Sequence, residues 1–350
     1  MPDSTFYQPF QKPSKKEWFQ LLGENAQRQI IVSKKVKTPV FVHQDDTTSY
    51  PPLAGKSDNQ WNIVEKVSTS NPQIANQQAI DALMGGADEI LFVLRKLPDF
   101  QILLNSIELS MIYTAFEWQN ASPAKMLQLM ELVQAVARNT HDLQGSFQLN
   151  PFSRTNRLKP GLNEYLQKGN QLFPSFQLFS LRQNETIEIE QALAQIIQQV
   201  EKLLRLDGDK LFIARRIQIQ LFAKQNILTT IATIRAFKLL WFQILKQHGV
   251  SIIAPDIFIT LDDSQWHDDV NQNRILATTQ AMATVIGGCN HLIIPSKKND
   301  AFSARINRNV QHIMKMESNM DRVADPAAGS KIIETLTDAI ANAAWEIIIN

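Results

Sequence analysis

The pattern of hydrophobic and polar positions changes near residue 60 of this chain. Before it, proline, lysine, aspartate and threonine recur without sustained periodicity, which predicts an extended arm over residues 1–65 with one strand near residues 40–42. After it, short apolar runs alternate with longer stretches in which apolar residues repeat at helical spacing. The runs that predict strands are EILFVL (89–94), LSMIYTAF (109–116), GSFQL (145–149), FQLFSL (176–181), IQIQLF (217–222), DIFITL (256–261) and HLIIP (291–295).

Strands that alternate with helices are typical of a parallel sheet. The helices are marked by their spacing, as in Ile227, Ile231 and Ile234, which share one apolar face. An eighth strand is predicted near residues 331–334, and eight strands are more than a small open sheet needs. A (β/α)8 barrel takes roughly 250 residues, and residues 66–350 fit that size. The sequence therefore predicts an α/β fold, a (β/α)8 TIM-type barrel over residues 66–350 that is preceded by the arm.

Several predicted strands alternate apolar and polar residues, which is unusual for barrel strands covered on both faces. Ser146, Gln148 and Asn150 share one face of their strand, and Gln218 and Gln220 share one face of theirs. If the apolar faces pack on helices, the lumen carries amides and hydroxyls. An antiparallel sheet with one solvated face also explains the alternation, but it does not explain the intervening helices.

Composition narrows the choice of partner and compartment. The chain has 350 residues with 35 Lys and Arg against 34 Asp and Glu, so net charge favours neither nucleic acid nor an anionic membrane as the main partner. Cys289 is the single cysteine, which excludes a disulfide within the chain and a four-cysteine metal site. We recognise no secretory signal and no run long enough to span a bilayer, so we expect a cytoplasmic protein.

Five blocks of sequence carry a family resemblance. They are SNPQIANQQAIDALMGGADEILFVL (70–94), TIATIRAFKLLWFQI (230–244), ILATTQAMATVIGG (275–288), DAFSARINRNVQHIMKMES (300–318) and RVADPAAGSKIIETLTDAIANAAW (322–345). In order and spacing these blocks resemble the methylmalonyl-CoA mutase family over nearly the whole predicted barrel. Catalytic members of that family are barrels in which the pantetheine arm of coenzyme A threads the lumen, which would suit a polar lumen here.

The segment DRVADPAAGS (321–330) looks like scaffold. Pro326 disfavours helix at Asp325 and Gly329 permits a turn, so the segment stops one helix and reverses the chain. We expect Asp325 to cap or brace that turn. The structural signature predicted from the resembling blocks comprises Gly287, Gly288, Arg305, Asp325, Pro326 and Gly329.

The residues that the family uses for chemistry do not recur at the matching positions. The place of the family histidine over the substrate thioester falls on or beside Leu181, which cannot donate a hydrogen bond to a carbonyl. Near the arginine that clamps the substrate carboxylate it has Lys168, which lacks the bidentate fork. Lys224 stands where a second histidine would be, and the stretch that brings the catalytic tyrosine is absent. The substrate-binding relics implied by the resemblance are Gln148 and Arg216, the latter at an arginine that contacts CoA phosphates.

The cobalamin-binding module of the family is not recognisable either. Its Asp-x-His-x-x-Gly loop, whose histidine becomes the lower cobalt ligand, has no match in these 350 residues, so either the gene product is short or the chain was trimmed. The resemblance implies the small subunit of a heterodimeric methylmalonyl-CoA mutase, with no catalytic residues and no bound cofactor of its own. Its implied partner is a large catalytic subunit that carries adenosylcobalamin.

The arm carries aromatic residues on an otherwise polar stretch, namely Phe6, Tyr7, Phe10, Trp18 and Phe19. In heterodimers of the family an N-terminal extension reaches across the other subunit. We therefore predict that these side chains anchor the arm on the partner, because buried aromatic residues often carry interface energy. A disordered tail and an arm folded back on its own barrel are the alternatives.

One acidic loop offers a different chemistry. Asp262, Asp263 and His267 follow a predicted strand at the face where barrel enzymes react, and oxygen and imidazole ligands suit a divalent metal. A solvated acidic loop is the alternative, and because no further ligand can be identified we predict no metal site.

Two classes of function therefore remain. In the first, the chain is an interaction subunit that stabilises a catalytic mutase chain; in the second, it is a stand-alone barrel that binds or transforms an acyl-CoA. A filled lumen favours the first class and an open lumen favours the second. Phe147, Phe176 and Phe179 would plug the lumen if they turned inward, but a shift of one residue reverses every side chain of a strand.

Overall fold

A short N-terminal unit precedes the main sheet. The computed structural model describes residues 14–46, 53, 56–137, 139–264, 266–296 and 300–350. The elements of the N-terminal unit are α1 (Lys15–Leu22), β1 (Gln29–Ile31) and β2 (Lys37–Pro39). The helix begins at a reciprocal cap between Ser14 and Glu17, and the two strands pair antiparallel. The strand predicted near residues 40–42 is wrong in position, because the pairing ends at Pro39.

Eight parallel strands close into a barrel, which confirms the predicted (β/α)8 fold. They are β3 (Asn62–Ser68), β4 (Glu89–Leu94), β5 (Tyr113–Trp118), β6 (Gln144–Leu149), β7 (Phe176–Arg182), β8 (Ile217–Ala223), β9 (Asp256–Leu261) and β10 (His291–Ile293). Their order around the barrel follows the chain, and β10 closes it by pairing with β3. The strand predicted near residues 331–334 is wrong, since a helix begins there. The eighth strand of the barrel is instead β3, which the sequence did not predict and which starts before residue 66.

The helices follow the strands. They are α2 (Pro72–Met84), α3 (Phe100–Leu103), α4 (Pro123–Val136), α5 (Leu162–Leu172), α6 (Ile189–Leu204), α7 (Lys210–Ala214), α8 (Ile227–Gln247), α9 (Val270–Gly287), α10 (Ala301–His312) and α11 (Lys331–Ile349). Many begin at a polar residue whose side chain accepts a backbone N–H of the first turn, as do Asn71, Asp99, Ser122, Asn226, Asp269 and Asp300. Polar loop residues thus start the helices at the carboxyl end of the barrel.

An aromatic row packs on the outer side of the strands, against the helices. Phe92, Phe116, Phe147 and Phe176 follow one another with ring centroids 5.7, 5.6 and 4.9 Å apart. Phe179 packs on Tyr165 of α5 at 5.8 Å. The possibility that Phe147, Phe176 and Phe179 plug the lumen is therefore wrong, because all three belong to the core between sheet and helices.

Helix α8 is long and apolar enough to cross a membrane by length and composition alone, with a mean hydropathy of 1.3, which corrects the expectation that no such run exists. It packs against α9 and α11, and 61% of the apolar window is buried. Arg235 in its middle is 1% exposed and pairs with Asp325 and, at 2.7 Å, with Glu334. These contacts are those of a core helix.

Part of the arm lies against its own barrel. Val36 is 2% exposed within the main core, and the Ser33 hydroxyl donates to the buried Glu190 of α6 at 2.9 Å. This is one of the alternatives left open for the arm. Trp18 and Phe19 are half-buried, and the other predicted anchors, Phe6, Tyr7 and Phe10, lie outside the described residues. Contact between the arm and a partner stays a prediction.

The buried ion pairs of Arg235 make a stability prediction. Arg235→Met leaves Asp325 and Glu334 as buried carboxylates without a cation, so we expect it to lower the free energy of unfolding by about 3–5 kcal/mol. Urea unfolding measures the change. Arg205→Met is the control, because its pair with Glu201 is exposed and is expected to contribute less than about 1 kcal/mol. Equal losses in both variants would contradict a structural role for the Arg235 cluster.

Candidate functional site

The lumen of the barrel contains an apolar cluster that is separate from the core outside the sheet. Its members are Val64, Leu91, Ala115, Phe258 and Ile293, with Val93 packed against them. Each of the first five is no more than 6% exposed. Their neighbours along the strands, such as Ile90, Phe92 and Ile257, belong to the outer core, as expected from the alternation of side chains in a strand. Side chains from five strands therefore meet inside the barrel.

A buried ionic cluster lies at the amino end of the lumen. Nδ1 of His291 is 2.5 Å from Glu89 Oε2, and Nε2 is 3.2 Å from Asp256 Oδ1. Asn62 donates to the same Glu89 oxygen at 3.2 Å, and the His291 ring stacks on Phe258 with centroids 5.6 Å apart. His291 and Glu89 are 3% and 0% exposed. Together with the less buried Asp256, they occupy the amino end of the lumen.

The two carboxylates determine the charge of His291. Burial alone would lower its pKa, but Coulombic attraction and hydrogen bonds from Glu89 and Asp256 outweigh burial and raise the pKa to about 10. The imidazole is therefore a cation at neutral pH. Burial raises the pKa of Glu89, and the imidazolium opposes that shift.

A chain of side-chain amides continues from this cluster to the carboxyl end of the lumen. Gln220 donates to Gln148 at 2.8 Å, Gln148 donates to Gln218 at 3.2 Å, and Gln218 donates to Asp256 at 3.1 Å. Gln148 and Gln218 are 7% and 0% exposed. The predicted polar character of the lumen is thus present, but its amides bond to one another.

Cavities among the described residues open at both ends of the lumen, and one of about 420 Å³ at the carboxyl end reaches Val64, Val93 and Ile293 of the apolar cluster. Gln148, Gln220, Ser180 and Arg182 line one cavity of about 320 Å³ at the carboxyl end. Asp256 lines another of about 560 Å³ at the amino end, beside Arg216. The lumen between them is occupied by the apolar cluster, the ionic cluster and the amide chain.

The side chains of Leu181 and Lys168 do not face the lumen. Leu181 is 1% exposed and packs in the outer core, while Ser180 and Arg182 point to the other side. Lys168 lies in α5 rather than in a loop, and it pairs with Glu164 at 3.2 Å on the helix surface. The stretch around Lys168 that was predicted as a loop is a helix, and the Lys168 side chain is on the outside of the barrel.

Arg216 is held by the chain itself. Its two terminal nitrogens donate to the Phe176 carbonyl and to Asn170, each at 3.0 Å, and its guanidinium lies 4.6 Å from the centre of the Phe212 ring. Burial lowers the pKa of Arg216 to about 10. A contact with CoA phosphates stays a prediction from resemblance.

The predicted scaffold turn is braced by a charge network. Asp325 adopts a left-handed conformation with φ 47°, and it accepts hydrogen bonds from Arg235 and from the Leu53 amide. Gly329, with φ 82°, donates its amide to Glu334 at 3.0 Å, and Pro326 lies between these turn residues. The turn is thus tied to α8 and α11.

The other signature residues lie at a helix end and on the surface. Gly287 packs on Ile234, where a β-carbon would come within 2.6 Å of that side chain. Gly288 ends α9 with φ 84°. Arg305 is exposed on α10.

The acidic loop serves to start a helix. Asp262 accepts from the Ser264 amide at 2.9 Å, and the His267 amide donates to Asn273 at 2.7 Å. Asp269 caps α9. In the described residues, no three His, Cys, Asp or Glu side chains come together as ligands for a metal, and Asp262, Asp263 and His267 are no exception. Cys289 is buried, which raises the pKa of its thiol to about 11.

The ionic cluster was missed from the sequence, although a signal was present. Glu89, Asp256 and His291 are each the first residue of a strand whose following residues are apolar. In a closed barrel such positions come together at the amino end, so charged residues that begin several strands predict a buried network.

Comparison with known proteins agrees with the resemblance in the sequence. Residues 183–350 match the family model for methylmalonyl-CoA mutase. A methylmalonyl-CoA mutase small subunit from Porphyromonas gingivalis is 27% identical over 325 residues, covering 83% of this chain and 52% of that protein. A small subunit from Streptomyces virginiae is 22% identical with the same two coverages, and a methylmalonyl-CoA mutase from Rhizobium meliloti is 33% identical over 35% of this chain and 18% of its own. The chain spans about half the length of the small subunits it matches.

The raised pKa of His291 predicts a pH-dependent stability. The ordinary pKa of histidine is about 6.5, so the stabilisation from the folded-state charge is complete below about pH 6.5 and is lost as pH rises through about 10. We expect His291→Gln to lower the free energy of unfolding by about 3 kcal/mol at pH 6. The difference from wild type should shrink steadily toward pH 10 in urea titrations.

His141→Gln is the matched control, because His141 lies on an exposed turn. Its difference from wild type should be small at every pH. A deficit of His291→Gln that stays constant from pH 6 to pH 10 would contradict the assignment of a charged imidazole.

Proposed function

The chain belongs to the methylmalonyl-CoA mutase family, and from this premise we propose that it is the non-catalytic small subunit of a heterodimeric mutase. In the proposed complex, a large subunit binds adenosylcobalamin and interconverts succinyl-CoA and methylmalonyl-CoA. The present chain stabilises that subunit and contributes no reacting group. We place the complex in the cytoplasm.

The filled lumen is the observation that carries this proposal. A pantetheine arm in the lumen would have to displace side chains such as Phe258, Leu91 and Ile293. Exposing an apolar side chain costs about 1.5–3 kcal/mol, so moving two of them would cost about 3–6 kcal/mol before any charge is disturbed. Separating His291 from Glu89 would add a further penalty for buried charge. These costs disfavour a stand-alone acyl-CoA barrel.

The chemistry of the remaining residues supports the same conclusion. At the position matched to the histidine over the thioester, Leu181 is apolar and packs outside the sheet. Lys168, which the resemblance puts near the carboxylate-clamping position, lies on the outer surface of α5. Neither residue is available to a substrate in the lumen, so the proposed subunit depends on its partner for turnover.

We assign adenosylcobalamin to the partner because the family's cobalt-binding loop has no match in the present sequence. The Asp-x-His-x-x-Gly pattern does not occur in the 350 residues. Of the histidines, His291 is committed to two carboxylates inside the barrel. In the proposed complex, no residue of this chain takes part in the reaction.

The test is co-expression with the large mutase subunit of the same organism, followed by mutase assays of the pair and of each chain with adenosylcobalamin. We expect a stable one-to-one complex that is active only when the large subunit is present. Gln148→Ala in the present chain should leave the turnover of the complex within about twofold, because Gln148 bonds only to lumen amides.

Asn163→Ala is a matched amide deletion on the exposed surface, and it should give the same turnover as Gln148→Ala. If Gln148→Ala abolished turnover in an intact complex, or if the present chain alone converted acyl-CoA, the non-catalytic assignment would be wrong.

A further inference from the structure

Helices α9 and α10 leave a groove between them at the carboxyl end of the barrel. The groove has a volume of about 230 Å³, and its apolar lining includes Trp266, Val270, Ala277 and Pro295. Asn307 of α10 donates to the carbonyls of Ile294 and Pro295 at 3.0 Å, which fixes the floor. The groove is therefore a formed feature of the barrel wall.

Large apolar side chains surround the groove on the outer faces of both helices. Phe302 of α10 is 52% exposed, and Ile275 of α9 is 66% exposed. Val270 and Met282 on α9 are 37% and 39% exposed. Such a concentration of exposed apolar residues on two adjacent helices marks an interaction surface more often than a solvated one.

Two arginines flank Phe302. The guanidinium carbons of Arg274 on α9 and Arg305 on α10 each lie 5.4 Å from the centre of its ring. This stacking orders both side chains and leaves their N–H groups available. The stacking also links the two helices across the mouth of the groove.

Within the described part of the chain these arginines form no ion pair, although Asp268 lines the groove together with Arg274. Arg274 makes one long hydrogen bond, of 3.3 Å, to Asn271, and neither Arg274 nor Arg305 forms an ion pair with a described carboxylate. Arg308, one turn along from Arg305 on α10, differs because it pairs with Glu65 at 2.5 Å. On α10, the buried Arg308 therefore has an ion-pair partner, and the exposed Arg305 has none among the described residues.

We propose that this surface, defined by Arg274, Ile275, Phe302, Arg305 and the groove beside them, docks an acidic segment of the large mutase subunit. Carboxylates of the segment pair with the two guanidiniums, and one of its apolar side chains enters the groove. Arginine and aromatic residues are the side chains that most often dominate the binding energy of an interface. The inference rests on the proposed function, because it assigns the partner of that complex to a particular face.

The composition of the surface favours a protein segment over other anions. Cations alone are enough to bind a phosphate or a nucleic acid, and no large apolar area is needed. Exposure of Phe302 and Ile275 to water is unfavourable, and an apolar partner that covers them would remove that cost. The near balance of acidic and basic residues in the whole chain also removes any broad attraction for a polyanion. Charge complementarity is therefore local and suits a few carboxylates.

The test is charge reversal with a salt titration. For Arg274→Glu/Arg305→Glu we expect the Kd for the purified large subunit to rise at least about tenfold at low salt, through slower association. The wild-type complex should weaken as ionic strength rises, and the variant should lose most of that dependence. Surface plasmon resonance measures both rate constants. Thermal unfolding midpoints verify that the variants remain folded.

Two further variants separate charge from packing. Arg157→Glu/Arg215→Glu changes the net charge by the same amount at exposed positions elsewhere, and it should leave the Kd within about twofold. Ile275→Ala/Phe302→Ala should raise the Kd at least about tenfold and keep the wild-type salt dependence. These results together would support the surface as the docking site.

The outcomes distinguish this inference from the proposed function. If the wild-type complex forms but Arg274→Glu/Arg305→Glu binds as tightly as the control pair, the docking surface is wrong and the heterodimer stands. If the wild-type chain binds no large subunit at all, the proposed function fails, and the docking inference fails with it.

Discussion

A charged histidine inside a barrel needs carboxylates close to its ring, because no water is there to solvate it. The arrangement of the lumen depends on how Glu89 and Asp256 neutralise His291. Glu89 from β4 and Asp256 from the adjacent strand β9 approach its two ring nitrogens at 2.5 and 3.2 Å. Removing the imidazole would leave the fully buried Glu89 carboxylate without its cation, which costs far more than an exposed charge. The three side chains therefore fix the amino ends of their strands relative to one another.

The rest of the lumen is organised around this cluster. Asp256 also accepts the hydrogen bond of Gln218, which is the lower end of the amide chain to Gln148 and Gln220. The apolar cluster fills the space opposite these amides. A lumen of this kind is stabilised by its own side chains and needs no ligand to be complete. A barrel so filled can still present its outer surface to a partner, and this division between inside and outside is the basis of the proposed subunit role.

Much of the fold could be predicted from the sequence, and the failures have physical causes. Apolar runs such as residues 256–261 identified their strands because both faces of a barrel strand are buried. Strand β3 was missed because Glu65 and Lys66 interrupt its apolar pattern, and Glu65 is compensated by Arg308 from a helix far along the chain. The strand predicted at the start of α11 is wrong because the apolar pair Ile332 and Ile333 is too short to distinguish a strand from a helix.

The candidate site was less predictable than the fold. The polar residues of the lumen follow from the alternation along β6 and β8, but whether Phe147 or Ser146 faces inward depends on register, and β6 and β7 shift register between Ser146 and Leu149. The side chains that fill the lumen are up to 229 residues apart in the chain, from Val64 to Ile293, so only closure of the barrel brings them together. Helical structure around Lys168 likewise moved that residue away from the place its sequence match implied.

The most direct measurement is calorimetric titration of the isolated chain with succinyl-CoA, with free coenzyme A as the reference ligand. A filled lumen predicts no saturable heat for either ligand up to millimolar concentration. One-to-one binding of succinyl-CoA with a micromolar Kd, abolished by a bulky substitution inside the lumen such as Ala115→Phe, would contradict the account.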